Sequence, residues 1–135
     1  MDEHDPRRTA AADFSVVVPS GFVWAFPARI DRWVDGDSAV VHVRRAPTEE
    51  WQGVEVRVDG INAIEISAQF GREALNAMID RAPSGTQVML YERKREKYGR
   101  ELARIVLADG TDLGGWLLTQ KASDGMTPLA VPYNP

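Results

Sequence analysis

Val54-Glu55-Val56-Arg57-Val58-Asp59-Gly60-Ile61-Asn62-Ala63-Ile64-Glu65 is the stretch from which the fold is read. Its first five residues alternate. Val54, Val56 and Val58 share one face and Glu55 and Arg57 the other, the period of two expected of a strand with one buried side. Arg57 therefore points away from the core that the valines build. Eight positions later, on what reads as the same strand segment, stands the carboxylate of Glu65.

On either side of this segment the periodicity separates strands from helices. Phe14 to Val18 and Gly21 to Ile30 are apolar, joined by Pro19-Ser20-Gly21, and Ile30 to Val34 continues with alternation. Asp35-Gly36 is a hairpin signal before the run Ala39 to Val43, and Arg45 to Gly53 is a polar loop. Downstream the period changes. Phe70, Ala74, Leu75, Ala77 and Met78 recur at three and four residue spacings, which predicts a helix over 68–81 with Ser67 as N-cap and Pro83-Ser84-Gly85 as its stop. Thr86 to Arg93 and Leu102 to Ala108 return to strand character around a turn at Lys97 to Arg100. Thr111 or Asp112 then caps a helix carrying Leu113, Trp116, Leu117 and Gln120, and Pro128, Pro132 and Pro135 prevent the last residues from being helical throughout. Strands, a helix, two more strands and a terminal helix predict a small α+β domain. Its strands are expected to curl into a five-stranded oligonucleotide-binding-type β-barrel with two or three helices.

The 135 residues make one domain, read as a polar leader over 1–13 and a single barrel domain over 14–135. The absence of cysteine excludes disulfides, a thiolate zinc site and a cysteine nucleophile. The two histidines, His4 in the leader and His42 in a strand, give little material for a histidine-based site. A net charge of −4 argues against coating nucleic acid by bulk electrostatics, so any such contact must be local. Arg93, Lys94, Arg95, Lys97 and Arg100 offer one candidate; the plainer reading of that run is a solvated hairpin rim. No apolar stretch reaches the roughly 18 residues of a membrane span. The acidic start, Asp13 and the turn at Pro19 speak against a signal peptide. The expected location is cytoplasmic or within an assembled particle, and a protein partner would be needed to order residues 1–13.

Two arginines and two acids, Arg57, Arg100, Glu65 and Asp37, are the side chains phosphodiester hydrolysis needs. Guanidinium groups hold phosphate oxygens, one acid helps hold a hard cation, and the other activates or orients a water. Asn62 is neutral where a third carboxylate would be expected.

In these residues the chain resembles the staphylococcal nuclease (thermonuclease) family, from about Ala28 to Tyr133. Asp35-Gly36-Asp37-Ser38 is similar to its D-G-D-T turn, Arg57 to Glu65 to its R-L-x-x-I-D-A-P-E segment, and Gly71-Arg72-Glu73-Ala74 to its G-x-E-A helix start. Glu96 to Arg100 is similar to its D-K-Y-G-R turn, Asp109 to Leu113 to its D-G-x-x-L helix start, and Leu129 to Tyr133 to its G-L-A-x-x-Y segment. The resemblance implies an oligonucleotide-binding barrel that hydrolyses DNA or RNA with calcium or another divalent cation. It implies Arg57 and Arg100 on the scissile phosphate, Glu65 on the attacking water, and Asp37, the Asn62 side chain and the Ala63 carbonyl as metal ligands. Lys97, Tyr98 and Tyr133 would contact substrate. Asn62 removes a ligand charge, so cation affinity should be weak. Ile64, standing where the family has proline, leaves Glu65 less rigidly positioned.

Two classes of function remain open. One is a divalent-metal-dependent nuclease with a partly degenerate metal site. The other is an inactive nuclease-like barrel serving as a nucleic-acid-binding or structural assembly module, for example in a viral particle.

Overall fold

The computed structural model describes residues 24–47, 49–95 and 101–133. Five strands close a barrel: β1 (Trp24–Asp35), β2 (Ser38–Val43), β3 (Gln52–Val58), β5 (Gln87–Arg95) and β6 (Glu101–Leu107), in the spatial order β1-β2-β3-β6-β5. Helix α1 (Gly71–Arg81) lies between β4 (Ile61–Ala63) and β5, and helix α2 (Leu113–Leu118) follows β6. β4 pairs outside the barrel with β7 (Ala130–Pro132). The expected α+β class and five-stranded barrel are therefore present, with two helices among the described residues.

Closure depends on β1. Its twelve residues serve two neighbours, β5 along Trp24 to Arg29 and β2 along Ala28 to Asp35. Register shifts between Ile30 and Arg32 and between Trp33 and Asp35 bend it enough to do so, as β-bulges do. The last seam is a parallel one, Val56 to Val58 of β3 against Glu101 to Ala103 of β6; all other barrel pairs are antiparallel.

Alternation along each strand fills the interior. Ile30, Val41, Val43, Val56, Val58, Leu90, Ala103 and Ile105 point inward, and Met78 from α1 and Leu113 and Leu117 from α2 complete the same core. Trp33 is buried with its indole N–H donating to the carbonyl of Ala82 at 2.9 Å, which ties β1 to the end of α1. A buried indole requires such a partner.

Three expectations need correction. Arg57 and Glu65 do not share a strand: the chain turns at Gly60, whose φ of 89° favours glycine, and β4 then runs separately before Glu65. Helix α1 starts at Gly71, not Ala68, and Ser67 does not cap it. Ala68 N donates to the Glu65 carbonyl and Gly71 N to that of Ala68, so 65–70 forms turns. Phe70 then stands at the N-cap in the left-handed region without a side-chain cap. Gly71 permits this crowding, since a Cβ there would lie 1.9 Å from the Glu65 carbonyl oxygen. Of the two candidate caps for α2, Asp112 is the one used, accepting from Gly114 N at 3.2 Å.

Candidate functional site: the Asp37–Arg57–Asn62 cluster

Asp37 occupies the two-residue turn between β1 and β2. The turn lies flat on β4 and α1 because Gly36 has no side chain: a Cβ there would come 2.7 Å from the Ala63 Cβ and 3.1 Å from that of Ala74. The Asp37 carbonyl accepts from Val58 N at 2.8 Å, fixing the turn to the end of β3. Its carboxylate Oδ2 accepts from Ala63 N at 2.9 Å, and its own N–H donates to Asp35 Oδ1 at 3.0 Å.

Arg57 extends from the outer face of β3 into this corner. Its guanidinium donates to the carbonyls of Val58 at 3.3 Å and Ile61 at 3.1 Å, and to Oδ1 of Asn62. It stands 3.9 Å from Asp37 Oδ2 and 5.1 Å from the centre of the Tyr133 ring. Tyr133 is brought there by β7, its N–H donating to the Gly60 carbonyl at 2.9 Å. Asp37, Arg57, Asn62, Ala63 and Tyr133 thus converge, although they come from β1–β2, β3, β4 and the end of β7. Glu65 lies two residues beyond Ala63 in an exposed turn, and its carboxylate makes no ion pair among the described residues. Lys97, Tyr98 and Arg100 lie outside the described residues, as does the rest of the basic hairpin tip and the 1–13 leader.

The electrostatics of the corner are unbalanced. Burial pushes the Asp37 carboxyl up to about 6; its hydrogen bond with Asp35 and that residue's charge push the same way, and the Ala63 N–H and Arg57 offset only part of the shift. Asp35 was noted in the sequence only as a neighbouring turn acid. Its effect on Asp37 was legible in the Asp-Gly-Asp spacing, because a tight turn places both carboxylates on one side.

A hard cation fits this corner in kind. Every candidate donor is an oxygen, and an acid pair balanced by a single guanidinium favours added positive charge. The fit is weak in strength. Only Asp37 brings charge directly, the Asn62 oxygen is engaged by Arg57, and among the described residues no three His, Asp or Glu side chains gather as ligands.

One charged cluster was not anticipated. Glu92 and Glu101, which flank the basic hairpin run, are 4% and 5% exposed. Arg45 pairs with Glu92 at 3.4 Å and with Glu101, and lies over the Phe26 ring at 5.0 Å. The signal was phase, since Glu92 is in step with Leu90, and Glu101 with Ala103 and Ile105, so both belong to the inward-facing rows.

No protein-family model matches the chain, and no curated protein matches it. Among the described residues no helix is long and apolar enough to cross a membrane.

Proposed function

We propose that this barrel is a nuclease-like phosphodiesterase for DNA or RNA that uses a weakly held divalent cation. The observation that carries the reading is the meeting of Asp37, Arg57, Asn62 and the Ala63 backbone in one corner, from three separate elements. Asp37, the Asn62 amide oxygen and the Ala63 carbonyl would hold the cation, which when bound would neutralise phosphate charge and polarise the phosphorus–oxygen bonds. Arg57 would release its hold on Asn62 and turn donors to a phosphate oxygen, countering charge that builds up as water adds. Glu65 would accept the water's proton as the water oxygen bonds to phosphorus; the bond from phosphorus to the leaving ester oxygen would break in the same step, and that oxygen would take a proton from solvent. Arg100 would supply the second guanidinium, and Lys97, Tyr98 and Tyr133 would contact the substrate.

A second reading is favoured by one specific observation. In the chain alone Arg57 is satisfied by two backbone carbonyls and Asn62, which makes it a clasp across the β3–β4 turn as much as a phosphate ligand. On that reading the barrel binds nucleic acid or an assembly partner without cleaving. Incubating plasmid and single-stranded DNA with calcium, magnesium or manganese separates the two. Cleavage that requires a cation and is lost in both Arg57→Ala and Arg100→Ala supports the enzyme. Intact DNA under every cation, with binding retained, selects the noncatalytic module.

A further inference from the structure

The oxygens that would hold a cation in the corner are the ones that face Arg57, and they meet it at a single atom. Nη2 donates to Asn62 Oδ1 and, at 3.1 Å, to the Ile61 carbonyl, and it stands 3.9 Å from Asp37 Oδ2. The two bonds engage both hydrogens of that nitrogen. Nη1 donates to the Val58 carbonyl at 3.3 Å, and the Tyr133 ring, tied to the turn through Gly60, lies under the guanidinium. The Arg57 side chain is 12% exposed in this position, whereas Asn62 is exposed on β4. Solvent and ions therefore reach Asn62 more readily than a phosphate reaches Arg57.

The amide at position 62 makes this sharing exclusive. A carboxylate has two oxygens and a negative charge, enough to hold a cation and a guanidinium together. Asn62 has one acceptor oxygen and no charge, so two positive groups on that oxygen repel each other with nothing between them to offset it. We propose that Arg57 is a latch: in the metal-free chain its guanidinium stands in for a divalent cation between Asn62 and Asp37, and cation binding displaces it, so that Arg57 reaches a phosphate only after the cation is held. The proposal rests on the divalent-cation reading of the corner and adds the order in which it fills, cation before phosphodiester. Phosphate binding at the corner then depends on free cation, and by reciprocity a bound phosphodiester tightens the cation by the same factor.

The test follows calcium uptake of the full chain by calorimetry and the side-chain nitrogen NMR signals of Arg57, with dimethyl phosphate as a diester that carries no base. Calcium should shift the Arg57 signals, and dimethyl phosphate should shift them further only when calcium is present. Arg57→Met should bind calcium about tenfold tighter than wild type, whereas Arg29→Met, which removes the same charge from an exposed residue of β1, should leave the affinity unchanged. Asn62→Ala changes an exposed side chain and opens the latch with Arg57 in place, so it remains informative if Arg57→Met misfolds. In chelator it should bind dimethyl phosphate about fivefold or more tighter than wild type does. Calcium uptake that leaves the Arg57 signals unmoved, or equal calcium affinity of wild type and Arg57→Met, overturns the latch and leaves the cation reading intact. Dimethyl phosphate binding to wild type as tight in chelator as in calcium does the same. Uptake by Arg57→Met alone supports the latch, closed too firmly for calcium to open. No uptake by either protein overturns the latch and the cation reading together, and leaves Arg57 as a clasp of the turn.

Discussion

The Arg57 guanidinium donates to the Asn62 amide oxygen across the turn that joins β3 to β4. A neutral residue thus receives a charged donor at the position where the proposed cation site lacks a charge. Asn62→Asp should tighten divalent-cation binding by about 1 to 3 kcal/mol, the scale of an added charged ligand. Calorimetric titration reads this directly. The metal-free fold should change by less than about 1 kcal/mol, because the new carboxylate gains Arg57 while it is repelled by Asp37. Unchanged cation affinity would falsify the placement of residue 62 in a metal site.

Asp37 should give the protein a stability that declines from about pH 4 to pH 6. Its carboxyl is raised from 3.8 to about 6 in the folded chain, so in this window the folded state binds more protons than the unfolded state. Raising the pH through the window therefore favours unfolding, by on the order of 1 kcal/mol once solvent screening is allowed for. Urea titrations across the range check this. Asp37→Asn should flatten the profile, and Asp35→Asn should weaken the slope by removing the neighbour that helps raise Asp37.

Gly36 and Gly71 should tolerate alanine unequally. At Gly36 the new methyl would meet the Cβ atoms of Ala63 and Ala74 at 2.7 and 3.1 Å; alanine has no rotamer with which to turn aside, so a small backbone shift and a loss of about 1 to 3 kcal/mol are expected. At Gly71 it meets the Glu65 carbonyl, which is backbone, and the loss should exceed about 3 kcal/mol. Denaturant midpoints rank the two, and a cost at Gly71 no larger than at Gly36 would contradict the tight passage into α1.

Arg45→Met should destabilise the barrel by about 3 kcal/mol at neutral pH, since it strips the arginine from two buried glutamates. Replacing Glu92 and Glu101 by glutamine in the same background should recover part of that loss, which thermal unfolding of the triple variant would measure.

The sequence alone determined the strands, the amphipathic helix and the outward aim of Arg57, because periods of two and of 3.6 are local and each follows from which face must be buried. It also determined that Asp37 sits in a hairpin turn. β4 and β7 were not legible as a pair: three-residue strands have too short a period to read, and each exists only because Ile61 to Ala63 finds Ala130 to Pro132 some seventy residues away. The start of α1 was misplaced for the same reason, since the contact between Gly71 and the Glu65 carbonyl sets it and no side-chain cap does. Tertiary structure alone decided that Arg57 grips Asn62, that burial raises Asp37, and that Arg45 reaches Glu92 and Glu101. Charge–charge relations depend on distances between strands, and only the closing of the barrel sets them.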